Sequence, residues 1–313
     1  MRYDLDLAIG VLNGAIGDYL ARRKNGLAIE MTLVADGAPI SAKQIDAPNG
    51  VVAVFVHGLM STESVWELDD GETYGSMLER DLAIHPLFVR FNSGLHISDN
   101  GEALDRLLEE IAGSAHPREI LLIGHSLGGL VIRAATHVAA VGGGRAWLPL
   151  VKKAIYVGSP HLGAPLERVG NVIHWGLAKV GAAANEPITE LVASLISMRS
   201  HGVKDLRFGN LTKQDWEDAD PDALLQNRRH PVPLLPEIRH HLVAATLSTD
   251  PIAAMFLGDA LVPVHSASGR AEPHHRSPSF PSEHLHVLPG KNHLQIAHDR
   301  QVYDILRSWC AET

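Results

Sequence analysis

The feature that most constrains the fold of this chain is a series of short apolar segments separated by helical patterns. Residues 51–56 read Val-Val-Ala-Val-Phe-Val, a continuous apolar run that is typical of a strand buried on both faces. Comparable runs lie at 120–123, 154–157 and 242–247. Apolar residues spaced three and four apart lie between several of these runs. The sequence therefore predicts an α/β fold, in which helices cover both faces of a mostly parallel central sheet.

Further predicted elements extend this alternation of strands and helices. Additional strands are predicted at 27–35, 87–91 and 286–288. Helices are predicted at 73–83, at 127–140, after an N-cap at Ser98 or Asp99, and at the end of the chain, where Val302, Ile305, Leu306 and Trp309 form an apolar face. The alternation stops after residue 160 and resumes at 242, which indicates an insertion into one sheet domain.

The two ends of this pattern define the expected domain organisation. Residues 3–24 have the pattern of an amphipathic helix, whose apolar face we expect to pack on the body of the protein. The positions that form this face are Leu5, Ile9, Leu12, Ile16 and Leu20. We therefore predict an N-terminal helix at 1–26, an α/β core formed by 27–160 and 238–313, and a helical cap inserted at 161–237, with a helical stretch at 188–198.

Composition excludes several classes of protein. The 313 residues are 45% hydrophobic and 20% charged, and the net charge of −9 argues against a nucleic-acid partner. No segment approaches the roughly 20 apolar residues that span a bilayer, so stable membrane insertion is not expected. A single cysteine, Cys310, rules out an intramolecular disulfide. The first residues carry two aspartates and lack a signal-peptide pattern, so we expect a cytoplasmic protein.

The strongest chemical motif lies at the end of the predicted strand 120–123. Residues 124–129 read Gly-His-Ser-Leu-Gly-Gly and match the pattern G-x-S-x-G, directly before a predicted helix. A sharp strand-to-helix turn of this kind lifts a serine above the sheet, and glycine is needed on both sides because a side chain there would meet neighbouring backbone. Ser126 is therefore the predicted nucleophile.

Two backbone N–H groups are predicted to bind a developing oxyanion. The N–H of Leu127 opens the helix that follows Ser126, so it faces the predicted site. The loop after the strand 51–56 reads His-Gly-Leu-Met and supplies the second donor, which we assign to Leu59. Met60, the next candidate donor, and His125 are predicted to contact the substrate. His57 is expected to organise this loop by bonding to nearby backbone.

The general base is expected after the last strand, because proteins with such a turn order their residues as serine, acid and histidine. His293 follows that strand in a Pro/Gly-containing loop and is the predicted base. Asp259, in the segment Gly-Asp-Ala-Leu-Val-Pro, is the predicted acid, with Asp250 as the rival. His57 precedes the serine and is disfavoured as the base for that reason. The histidines nearest His293 are expected along a strand or in the last helix: His284, His286 and His298.

Histidine is abundant, at 19 residues, but the pattern does not predict a metal centre. The histidine pairs lack the accompanying cysteine or carboxylate spacing of a zinc site. We therefore expect no bound metal, and nothing in the sequence calls for another cofactor.

Together these motifs resemble the α/β-hydrolase superfamily, in particular bacterial lipases and carboxylesterases. The resemblance rests on five segments: His57-Gly58-Leu59, residues 124–129, residues 158–164, residues 258–263 and Asn292-His293-Leu294. Within that group the chain is similar to the GPI-inositol-deacylase-like (PGAP1-like) serine esterases. The resemblance extends from about residue 50 to the end, and it implies nucleophile, acid and base roles for Ser126, Asp259 and His293.

The activity that the resemblance implies is hydrolysis of a small carboxylic ester with an apolar acyl group. The calcium loop and disulfide of many secreted lipases are not recognisable in this sequence, which disfavours secreted triglyceride digestion. Two other functions fit the same residues. One is an acyltransferase that delivers the acyl group to an alcohol or amine, and the other is a non-catalytic binding protein on the same fold.

Overall fold

The fold is built on a central sheet of eight strands. The computed structural model describes residues 2–165, 199–217, 229–248, 258–270, 278 and 280–312. The strands are β1 Thr32–Ala35, β2 Ala38–Ile40, β3 Val51–Val56, β4 His85–Arg90, β5 Glu119–His125, β6 Val151–Val157, β7 Arg239–Thr246 and β8 Leu285–Pro289. Their order across the sheet is β2-β1-β4-β3-β5-β6-β7-β8. The six strands from β4 to β8 are parallel to one another, whereas β1 runs antiparallel to both of its neighbours.

Helices pack on both faces of this sheet. The α-helices within the described ranges are α1 Arg2–Arg22, α2 Tyr74–Leu82, α3 Ile97–Ala115, α4 Leu127–Gly142, α5 His201–Phe208, α6 Val264–Ala267 and α7 Arg300–Ala311. Helices α1, α3 and α4 contribute to the core on one face, and α2 and α7 contribute to the core on the other. Strand β3 divides its side chains accordingly: Val52, Val54 and Val56 face the first core, and Ala53 and Phe55 face the second. The predicted fold class is confirmed.

The N-terminal helix packs on the body of the protein, as the sequence predicted. Asn13 is fully buried, and its side chain bonds the backbone carbonyl of Leu27 at 2.8 Å and the N–H of Ile29 at 2.9 Å. The predicted apolar face was only partly right. Leu5 is 62% exposed, whereas Val11, outside the predicted face, is buried.

Two local predictions were wrong because distant residues decide the local structure. The predicted strand 27–35 contains only β1, and the turn at Asp36-Gly37 returns the chain as β2, an edge strand that the sequence pattern had not indicated. Helix α3 begins at Ile97, before the predicted caps. The carboxylate of Asp205 accepts a hydrogen bond from the Ile97 N–H at 2.9 Å, so the helix is capped by a residue more than a hundred positions away.

The predicted cap is described only in part. Helix α5 and the segment 229–237 belong to it, and the carbonyl of Leu206 accepts a hydrogen bond from the Ala164 N–H at 3.0 Å. The predicted helical stretch 188–198 lies outside the described residues, and so does Asp250. Within the described helices, none combines the length and the apolar character that crossing a bilayer requires.

Candidate active site

The turn between β5 and α4 holds Ser126 in a strained conformation. Its backbone has φ 53° and ψ −123°, a region that non-glycine residues rarely adopt. A Cβ atom at Gly124 would lie 2.6 Å from the backbone nitrogen of Gly129, and one at Gly128 would lie 2.2 Å from the carbonyl oxygen of Val56. These distances give the steric reason for glycine at both positions. The turn therefore fixes the serine at the carboxyl end of the parallel strands.

Close packing at Gly128 leads to a stability prediction. Gly128→Ala should lower the free energy of unfolding by about 1–3 kcal/mol, because the new methyl group meets the backbone oxygens of Val56 and His57, which cannot rotate away. Urea denaturation measures the change. Gly113→Ala is the matched control: it lies inside α3 with nothing within 4 Å of its added Cβ, and we expect a gain of about 0.5–1 kcal/mol. Equal stability of the two variants would contradict the steric reading of the turn.

His293 lies directly beside the serine. It occupies the loop after β8, is 5% exposed, and places its Nε2 2.8 Å from the Oγ of Ser126. Its other ring nitrogen, Nδ1, is 2.7 Å from the Oδ2 of Asp259. The structure thus brings together the three residues that the sequence predicted, from three loops that follow β5, β7 and β8.

The carboxylate of Asp259 is held from both sides. Its Oδ1 accepts hydrogen bonds from the N–H groups of Leu261 at 3.0 Å and Val262 at 2.7 Å, which leaves Oδ2 for the imidazole of His293. The backbone carbonyl of Asp259 also accepts from the His293 N–H at 3.0 Å. This double connection fixes the imidazole so that Nδ1 carries the proton and Nε2 accepts one from the serine. The chemistry that the array can perform is activation of an alcohol as a nucleophile.

Two backbone N–H groups beside Ser126 are candidate oxyanion donors. Within the described residues, neither Leu59 nor Leu127 donates its backbone N–H to a protein acceptor. The neighbouring N–H of Met60, by contrast, donates to the Oγ of Ser93 at 3.1 Å. A Cβ atom at Gly58 would lie 3.0 Å from the Cβ of Ser126, so the loop carrying Leu59 passes directly over the serine. This arrangement favours Leu59 over Met60 as the second donor.

Met60 and His125 lie where a supporting role is favoured over substrate contact. Met60 is 6% exposed, and its side chain packs against Gly14 of α1. His125 is 2% exposed, its Nε2 is 3.0 Å from the carbonyl oxygen of His293, and burial lowers its pKa well below the usual value. A neutral His125 therefore donates to that carbonyl and fixes the loop that carries the candidate base.

His57 is engaged in a way that leaves no role for it as a base. Its Nδ1 is 2.9 Å from the Gly58 carbonyl oxygen, its Nε2 accepts the Phe91 N–H at 3.2 Å, and its ring stacks on Phe91. Burial lowers its pKa to about 4. Both ring nitrogens thus contact backbone atoms. These contacts fit the expectation that His57 organises the loop that carries Leu59.

The buried histidines make stability depend on pH. Folded His57 stays neutral down to about pH 4, because burial lowers its pKa to about 4, whereas the unfolded residue binds a proton below about pH 6.5. Its contribution to stability is therefore complete above pH 6.5 and is lost as the pH falls to 4. We expect a loss of about 3 kcal/mol for His57 alone. Urea denaturation at pH 7, 6, 5 and 4 measures it.

A pair of variants isolates this effect. His57→Gln should flatten the pH dependence of the free energy of unfolding, whatever its effect at neutral pH. His116→Asn is the control, because His116 is exposed at the end of α3 in a left-handed conformation that asparagine tolerates. If His57→Gln kept the wild-type pH slope, the stability change would have to come from other groups.

Sequence reasoning missed two aromatic residues that support the site. Trp66 is fully buried, and its ring meets that of His125 edge-on, with centroids 6.1 Å apart. The hydroxyl of Tyr74 lies 3.1 Å from the Ile296 carbonyl oxygen and 2.7 Å from that of Asp299. Tyr74 therefore anchors the segment between His293 and α7. No local sequence signal identifies these residues, because their partners lie more than 50 positions away.

No metal centre accompanies this array in the described ranges: no group of three or more His, Cys, Asp or Glu side chains there is placed to hold an ion. Two of the other histidines that the sequence considered, His284 and His286, contact residues outside the array. For example, the Nδ1 of His284 is 3.1 Å from the His240 carbonyl oxygen.

The sheet order and the strand–serine–helix turn define the class of this protein as an α/β hydrolase. Residues 53–305 match the family model described as the alpha/beta hydrolase family, so the chain belongs to that family.

Solved structures show the same fold at low sequence identity. The mature form of the lipase BlEst2 from Bacillus licheniformis is 18% identical, with 90% of this chain and 97% of that chain covered and a TM-score of 0.53. The propeptide form of the same lipase is 17% identical, with 86% of this chain and 52% of that chain covered and a TM-score of 0.53. At this identity the likeness shows the fold.

Proposed function

We propose that this protein hydrolyses carboxylic esters through an acyl-enzyme intermediate on Ser126. The observation that carries the proposal is the continuous array in which the Nε2 of His293 lies 2.8 Å from the Ser126 hydroxyl and its Nδ1 lies 2.7 Å from Asp259. Each contact has hydrogen-bond length, and the acceptors and donors alternate in the order that proton transfer requires. The free N–H groups of Leu59 and Leu127 supply the second requirement, a site for the developing oxyanion.

The reaction follows from these positions. The Oγ of Ser126 attacks the ester carbonyl carbon while His293 accepts the hydroxyl proton, and the negative charge on the carbonyl oxygen is stabilised by Leu59 and Leu127. The C–O bond to the alcohol then breaks, and His293 protonates the leaving oxygen. Water enters, transfers a proton to His293 and attacks the acyl carbon. The serine leaves with that proton, and the product is a carboxylic acid.

Three finer features of the substrate and setting belong to the same proposal. An apolar acyl group is inferred from the apolar residues of the insertion 161–237, most of which lie outside the described residues. The similarity to GPI-inositol-deacylase-like esterases rests on the sequence segments around His57 and His293. A cytoplasmic location is proposed from the cysteine content: the single cysteine, Cys310, cannot form an intramolecular disulfide, which fits a reducing compartment. The preference for an apolar acyl group is measured by hydrolysis of p-nitrophenyl esters with acyl groups from acetyl to dodecanoyl. We expect kcat/KM to rise with acyl length.

Covalent labelling tests the central step. A fluorophosphonate probe should label the wild-type protein and should not label Ser126→Ala. Ser159→Ala is a matched control, since Ser159 is also a buried serine at the end of a strand but has no histidine partner in the described structure. The probe should label Ser159→Ala to the same extent as the wild type. A folded wild-type protein that neither reacts with the probe nor turns over any ester would refute the proposal, and acyl transfer to added alcohols in preference to water would reassign it to an acyltransferase.

A further inference from the structure

A cavity that does not include Ser126 lies on the α4 face of the sheet. It has a volume of about 740 Å³, within the usual range for small-molecule sites. Arg133 of α4, His161 beyond β6 and the segment 229–236 line it, and we call it the Arg133 cavity. Much of its wall is apolar, with contributions from Leu211, Val232, Leu234, Leu235 and Ile238. An apolar wall with a few polar groups is the usual composition of a ligand site.

Arg133 is a buried cation that has no counter-ion among the described residues. Its side chain is 4% exposed, and its Nη2 donates to the Val232 carbonyl oxygen at 2.5 Å. Within the described part of the chain no carboxylate contacts it. Burial lowers its pKa to about 10, so the guanidinium is charged at neutral pH. Burial also raises the pKa of Tyr156, so that phenol is neutral and supplies no negative charge. An unpaired buried charge is unfavourable and calls for an anion.

His161 adds an independent observation. It is 1% exposed, and both of its ring nitrogens are buried without a hydrogen-bond partner in the described structure. Burial lowers its pKa well below the usual value, so the ring is neutral and offers one N–H donor and one acceptor. Buried polar groups are nearly always hydrogen-bonded. Two ring nitrogens that lack partners beside a buried cation therefore indicate a place for a polar ligand group.

We propose that the Arg133 cavity binds an amphiphilic monocarboxylate. Its carboxylate pairs with the guanidinium of Arg133 and accepts the N–H of His161, while its apolar body packs against Val232 and Leu234. A guanidinium matches a planar carboxylate with parallel hydrogen bonds. The largely apolar wall favours a ligand whose charge is confined to one end. The proposal goes beyond ester hydrolysis and does not involve Ser126, so either can fail without the other.

Calorimetric titration with octanoate tests the proposal. Octanoate should bind the wild-type protein, and octanamide, its neutral analogue, should bind about ten- to a hundredfold more weakly because it lacks the charge. Arg133→Met should weaken octanoate binding by a similar factor. Arg118→Met is the control: Arg118 is an exposed arginine that also donates to a backbone carbonyl, that of Asn49, and it does not line the cavity. It should bind octanoate like the wild type.

A second variant keeps the test decisive if Arg133→Met does not fold. Leu234→Trp keeps the guanidinium and fills part of the cavity, and it should abolish octanoate binding while fluorophosphonate labelling stays at the level of the wild type. Octanoate binding that is absent, or unchanged in both variants, overturns the proposal. Equal binding of octanamide shows that charge is not recognised, and tighter binding of octyl phosphate shows that the site is built for a dianion. Either result also overturns it.

Discussion

Replacing His293 by alanine is expected to lower kcat for ester hydrolysis by about a millionfold, the effect of removing the base from a serine–histidine–aspartate array. In the proposed mechanism, the Nε2 atom that lies 2.8 Å from the Ser126 hydroxyl makes the oxygen nucleophilic by accepting its proton. Without it, the serine hydroxyl keeps its proton near neutral pH. Initial rates with a p-nitrophenyl ester, together with single-turnover kinetics, measure the loss and assign it to acylation.

The fold of this variant should survive. The backbone N–H of His293 donates to the Asp259 carbonyl oxygen at 3.0 Å, and its carbonyl accepts from His125 at 3.0 Å, and both contacts are independent of the imidazole. His298→Ala is the matched control, because His298 lies five positions on and its side chain makes no hydrogen bond to Ser126, Asp259 or His293 in the described structure. Its kcat should stay within about twofold of the wild type. A folded His293→Ala enzyme with near-normal kcat would remove His293 from the mechanism.

Asp259→Asn is expected to lower kcat by about ten thousandfold, because it reverses the direction of a hydrogen bond. The N–H groups of Leu261 and Val262 require an acceptor at the Oδ1 position, at 3.0 and 2.7 Å, so the amide oxygen must lie there. The amide NH₂ then faces His293 and forces its Nδ1 to accept. The imidazole proton moves to Nε2, which can no longer take the serine proton.

A second buried aspartate provides the control for this substitution. The Oδ2 of Asp205 accepts from the Nδ1 of His96 at 2.9 Å, in the same type of pair, but no serine hydroxyl is hydrogen-bonded to that histidine in the described structure. Asp205→Asn should lower stability by about 1–3 kcal/mol and leave kcat close to that of the wild type. ¹⁵N NMR of the His293 ring reports the tautomer directly. If Asp259→Asn kept its proton on Nδ1 and its full activity, the aspartate would have no orienting role.

The sequence by itself determined the elements whose cause is local. The uninterrupted apolar run at 51–56 predicted both ends of β3 correctly, because a strand buried on both faces has no position for a polar side chain. The glycines on both sides of Ser126 predicted the turn, since only glycine fits where added Cβ atoms would meet backbone. The order of serine, acid and histidine then pointed to Ser126 and His293 and left Asp259 and Asp250 as candidates for the acid. The 2.7 Å contact between Asp259 and His293 is known only from the structure.

Tertiary structure decided whatever depends on residues that are far apart in the chain. Asp205 sets the start of α3, and β1 becomes an antiparallel edge strand because it pairs with β4. Sequence spacing could not show that the Met60 N–H donates to Ser93 while the Leu59 N–H has no acceptor in the described structure. Nor could it show that Arg133 is buried with no carboxylate partner among the described residues. These features have one physical reason: hydrogen bonds and charge compensation depend on distances in space, which no local pattern of residues encodes.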